Sequence, residues 1–237
     1  MLRTEPWQAP VAISASGAPS ALPVVAGKRI RYTLSSARIS IELPARKKKP
    51  SGTLEHVEGF IELDPAQPEN TRATLKADLH SLSLSSNGRE PSPQLLARAF
   101  DWLEISGSGG EARESNRYAV LDIVGFDPPP ISDDARSGRP VSVVARGNLT
   151  LHHFRVPVTL ELELQLKSAT ASDPSTLAIR TRRPLVVSLV AHDIMPRDAH
   201  GGLVPDGVRS LGTEVGREAR VSAELTARAA ADEPEKQ

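Results

Sequence analysis

The sequence predicts an all-β fold, an eight-stranded antiparallel up-and-down barrel carrying one short α-helix. Three observations carry that reading. Eight runs alternate apolar and polar residues, the period of a sheet with one dry and one wet face. Consecutive runs are joined without any segment that reads as a crossover helix, so they are most simply antiparallel neighbours. A sheet of that size removes its exposed edges by closing on itself.

The clearest element is a hairpin at 141–166, VSVVARGNLTLHHFRVPVTLELELQL. Val141, Val143, Ala145, Gly147, Leu149 and Leu151 share one side of its first arm, and Val158, Leu160, Leu162, Leu164 and Leu166 share one side of its second. Thr159, Glu161, Glu163 and Gln165 fall on the opposite, wet side.

In chain order, residues 1–28 are rich in Ala, Pro and Ser and show neither period, so a disordered segment is expected there. Prolines and glycine interrupt any apolar stretch in it, and no standard secretory signal is visible. The barrel domain is placed at 29–228, and 229–237 is read as a charged, loose tail.

The first strand, 30–43, changes parity at Ser35 and Ser36, which predicts a bulge. The loop PARKKKPSG follows, bracketed by prolines, and its Arg46, Lys47, Lys48 and Lys49 are either a solvated tip or a contact for an anionic headgroup. Strands are then expected at 54–63 and 71–82, separated by a turn. Leu95, Leu96, Ala99, Trp102 and Leu103 recur at helical spacing and predict a helix over 93–105, started by Ser92 or Pro93 and stopped by Gly107 to Gly110. A fourth strand spans 118–126 with Leu121 and Ile123 turned inward, and 127–140 is a proline-rich loop. After the hairpin, a seventh strand at 177–189 is bent around Arg183 and Pro184, and the last alternates over 219–227 beyond a long connection at 193–216.

Inward parity nominates Gly59, Ile61, Ala73, Leu75, Ala77, Leu121, Ile123, Val143, Ala145, Leu149, Leu160, Leu162, Val187, Val221 and Ala223 as lumen residues. Many inward positions are small, among them Gly59, Ala73, Ala77, Ala145, Gly147, Ala219, Ala223 and Ala227. Either they leave a cavity or they fit the taper of a solid core. Arg46, Lys47, Lys48, Lys49, Trp102 and His152 are the candidates for the mouth.

Three runs add a resemblance: GFIELDPAQPENTRATLKADLHSLSL at 59–84, GNLTLHHFRVPVTLELEL at 147–164 and LGTEVGREARVSAELTA at 211–227. In that order and spacing they resemble the YceI-like family over about residues 30–227. The resemblance implies a lipocalin-like barrel with a long hydrophobic cavity that binds polyisoprenoids, isoprenoid quinones or other amphiphiles. Two departures stand out. His153 occupies a position after the turn histidine where family members often carry Gly, and QLLARAFDWLEI lacks the usual Asp-His beginning.

Composition narrows the function. Lys plus Arg and Asp plus Glu each number 29, so no net field attracts nucleic acid. Aromatic content of 3% argues against base-stacking platforms, and the absence of Cys excludes disulfides and thiolate chemistry. No run approaches the roughly 18 apolar residues of a membrane-spanning helix. His152 and His153 would face opposite ways on a continued strand, and His192, Asp193 and His200 read as turn and loop residues rather than a metal site or general base. No enzyme motif, cofactor or metal is expected. Two readings stand: a carrier of an isoprenoid or fatty chain, and a non-catalytic structural or interaction module with a filled barrel. A homodimer is compatible with either. Without a visible signal the compartment reads as cytoplasmic, although the resembled family is mostly periplasmic.

Overall fold

The protein is described from a computed structural model, which covers residues 29–44, 49–64, 67–86, 90–106, 111–127, 138–167, 175–198, 200, 202–205 and 216–230. Its first strand, β1 (Ile30–Glu42), shows how the sequence closes the sheet. Tyr32 and Leu34 point inward, the register against the last strand slips between Leu34 and Ser36, and Ala37, Ile39 and Ile41 then take the inward side. The slip is the bulge predicted at Ser35 and Ser36. One extra residue bends the strand and keeps both apolar sets on one face.

Around the barrel follow β2 (Ser51–Leu54), β3 (Val57–Leu63), β4 (Arg72–Asp78), β5 (Leu82–Ser85), β6 (Tyr118–Asp127), β7 (Val141–Leu151), β8 (Phe154–Lys167), β9 (Thr176–Thr181), β10 (Leu185–Ser188) and β11 (Glu218–Ala229). All pairings are antiparallel, and β11 pairs with β1 to close the ring. β2 and β3, β4 and β5, and β9 and β10 are halves of interrupted staves, so the closed barrel is eight-stranded. The expected runs at 54–63, 71–82 and 177–189 are thus each broken once.

The breaks have local causes. The Ser81 hydroxyl accepts the backbone N–H groups of Glu55 and His56, which holds the β2–β3 step open beside a 3-10 turn at Leu79–Ser81. Asp78 caps that turn by accepting from His80 N. Between β9 and β10 lies Pro184, which donates nothing to a ladder.

The helix α1 (Pro93–Trp102) begins at Ser92, whose hydroxyl accepts from Leu95 N. Among the described residues α1 is joined by a second α-helix that was not expected. The second, α2 (Glu111–Asn116), reads EARESN, and with Ala112 its only apolar residue it gives no periodic signal.

The β7–β8 hairpin pairs Ala145 with Leu160 and Gly147 with Val158. Its turn is His152–His153, both with positive φ (49° and 68°), the short turn expected between the two arms. Two left-handed residues match the twist of the flanking strands, a geometry Gly adopts more easily than His. On the outer face Arg38, Glu224, Arg180 and Glu163 stand opposite one another across β1, β11, β9 and β8, an alternating row of charge that keeps this side wet.

Candidate functional site

Strand direction and register put the connections at two ends. One end carries the 152–153 turn, α1, α2, both flanks of the basic loop and the long connection after β10. The other carries the connections after β3, β6 and β8. At the first end Lys49 is exposed, and Arg46, Lys47 and Lys48 lie outside the described residues.

The interior divides into unlike halves. Towards the second end Tyr32, Ile61, Ile123, Phe126, Val143, Leu162 and Leu177 pack with Ala73, Ala145 and Ala227 into a continuous core. Tyr32, Ala145 and Ala227 are each 0% exposed, so the alanines here accommodate large neighbours and leave no free space. Of the predicted lumen residues, Ile61, Ala73, Ile123, Val143, Ala145 and Leu162 belong to this filled floor. Gly59 opens no space either, because a Cβ there would meet the Thr74 carbonyl oxygen at 2.2 Å. Its side chain is missing to let a neighbouring strand approach.

The other half is open. A chamber of about 150 Å³ is walled by Leu75, Ala77, Leu121, Leu149, Leu160, Val187, Val221 and Ala223, all nominated from parity, with Ile39, Ile41, Leu54, Val57, Leu79, Ala119, Leu185 and Leu225 completing the wall. Thr181 is its one polar wall residue among the described residues, and the Thr181 hydroxyl accepts from Ala223 N at 3.1 Å. A second chamber of about 160 Å³ lies under α1, lined by Leu43, Leu82, Leu84, Leu95, Ala99, Trp102, Leu103, Leu189, Ile194 and Ala219 together with Arg98. Ile41 and Leu79 line both chambers, which therefore adjoin. Trp102, nominated for the mouth, lines this second chamber. Arg98 was missed, although the signal is there: it falls at i+3 from Leu95 and i−4 from Trp102, a charge on the apolar stripe.

His152 belongs to the frame of the mouth and lines neither chamber. It is 2% exposed, with Nδ1 3.0 Å from the His192 carbonyl oxygen and Nε2 3.0 Å from Glu104 Oε2. His192, 1% exposed, lies with its own Nδ1 3.2 Å from the Leu151 carbonyl oxygen. The two rings thereby clasp the hairpin turn to the 3-10 turn Val190–His192, and Glu104 ties the end of α1 to both. Asp193 pairs with Arg197 at 2.6 Å, and Asp198 accepts from His200 N. Among the described residues no group of three His, Cys, Asp or Glu could hold a metal ion.

A charged clamp braces the same end. Arg117 Nε and Nη2 donate to the two Asp78 oxygens at 3.0 and 2.6 Å. These bonds, with a further one from His80 N, hold the Asp78 carboxyl below its ordinary value against the opposing effect of burial, and Arg117 is raised in turn. A carboxyl depressed on folding stabilises fully above its unfolded value and loses that contribution as pH falls through the folded one. Asp78→Asn is therefore expected to be less stable than the parent in denaturant titrations at pH 7. The gap should narrow below about pH 4.

A closed antiparallel barrel with a filled floor and an apolar chamber beneath a helix is a lipocalin-like, single-cavity architecture. Among solved structures it is the YceI-like fold. A polyisoprenoid binding domain from Saccharophagus degradans, implicated in plant cell wall breakdown, aligns over 85% of this chain and 99% of its own at TM-score 0.55 and 15% identity. Burkholderia cenocepacia BcnA aligns over 80% and 95% at 0.51 and 13%, and the Campylobacter jejuni YCEI protein over 76% and 85% at 0.50 and 8%. No protein-family model and no curated protein matches the sequence. Identities this low carry the fold and nothing finer. Among the described residues no helix is long and apolar enough to cross a membrane.

Proposed function

We propose that the protein binds one hydrophobic amphiphile in the open half of its barrel and sequesters or transports it without catalysis. An isoprenoid, an isoprenoid quinone and a fatty chain are the ligand classes considered. The observation that carries this reading is the pair of adjoining apolar chambers sharing Ile41 and Leu79. An alkyl or prenyl chain entering beneath α1 gains about 0.8 kcal/mol per methylene withdrawn from water. The name of the Saccharophagus degradans neighbour, a polyisoprenoid binding domain, supports a chain-like ligand.

The filled floor favours the second reading, a module that works through its surface and loops. Native mass spectrometry of the purified protein, before and after solvent extraction, separates the two. The carrier reading expects a removable lipid adduct and rebinding of a fluorescent fatty chain to the stripped protein. Absence of both would leave the interaction module.

A further inference from the structure

We infer that Arg98 is the headgroup contact of this site and that the ligand's polar end is an anion, a carboxylate or a phosphate. The inference rests on the carrier reading and adds the orientation and charge of the cargo. Polarity along the two chambers runs one way. Among the described residues the deep chamber has one polar wall group, Thr181, whose hydroxyl already accepts from Ala223 N, and no charged one. In the chamber under α1 Arg98 is the only charged lining residue among the described residues. An amphiphile therefore lies with its chain inward and its head beside this guanidinium.

Arg98 is free to make that contact. It is exposed and, among the described residues, has no hydrogen-bond or ion-pair partner. The nearby carboxylates of the same segment are engaged elsewhere, Asp101 with the Ser106 hydroxyl at 2.6 Å and Glu104 with His152. Its place on the apolar stripe, between Leu95 and Trp102, brings the stem along the chamber wall and leaves the planar fork at the rim. A guanidinium there suits the paired oxygens of a carboxylate or phosphate, and the apolar wall weakens competition from water.

Titration calorimetry with dodecanoate, dodecyl phosphate and dodecan-1-ol tests this on the full chain, on Arg98→Gln and on Arg98→Lys. The parent is expected to bind at least one anion about tenfold or more tighter than the alcohol. Which anion gains identifies the headgroup. Arg98→Gln should abolish that preference and leave the alcohol within about twofold, while Arg98→Lys keeps part of it. Equal affinity for all three probes in the parent would overturn the assignment and leave the carrier reading standing. So would a preference that survives Arg98→Gln. Failure of all three to bind the parent would remove the carrier reading and this assignment with it.

Discussion

Ala223→Trp is expected to melt close to the parent protein and to lose chain binding, while Ala145→Trp is expected to be strongly destabilised. Both alanines share the inward parity, yet their surroundings differ. Ala145 is fully buried among the large side chains of the floor, where an indole has no room. Overpacking of a closed core costs about 1–3 kcal/mol for small additions, and a Trp for Ala exchange belongs at or above the upper end. Ala223 lines the deep chamber, so its indole occupies space an alkyl chain would otherwise take. Thermal melts read beside fluorescent fatty-chain binding check the contrast. Equal destabilisation by the two substitutions would show that the upper half is as filled as the lower.

Replacing His152 with Ala is expected to lower stability by about 2–4 kcal/mol, because the buried His192 carbonyl and the Glu104 carboxylate lose a partner and a void remains. For a domain of this size that corresponds to roughly 5–15 °C in the melting temperature. His152→Gly separates the backbone from the ring. Its φ of 49° favours Gly, so this variant should fall between Ala and the parent. A Gly variant more stable than the parent would mean that the ring contacts contribute nothing and that only the turn geometry matters.

What was legible in the sequence follows from which quantities are local. Alternation fixed the faces of β7, β8 and β11, and the slip in alternation at Ser35 located the bulge one strand could show by itself. The inward lean of Leu121 and Ile123 was likewise readable: Leu121 lines the deep chamber and Ile123 is buried in the floor. Small inward residues were legible as a list but not as space. Ala145 and Ala223 look alike in one dimension, and only the pairing of β7, β8 and β6 brings Leu160 and Phe126 against Ala145. The break at Glu55–His56 depends on the Ser81 hydroxyl of another stave, which no local window of sequence contains. α2 lacks an apolar stripe altogether. His152 was legible as a residue of the hairpin turn, but its engagement with Glu104 and His192 joins segments about 40 residues or more apart.

The pairing of β1 with β11 also sets the order in which this molecule can form. Tyr32 stands opposite Ala229, and ten residue pairs make up the seam. Every other stave pairs with its sequence neighbour, so most of the sheet can assemble as a growing meander. The seam joins the two ends of the domain. It has the greatest sequence separation of any contact between strands and is the costliest loop to close. Until it forms, β1 and β11 are both open edges able to accept strands from other chains. Closure should therefore be the late, slow step of folding, and a chain interrupted within β11 should aggregate before it misfolds in any other way.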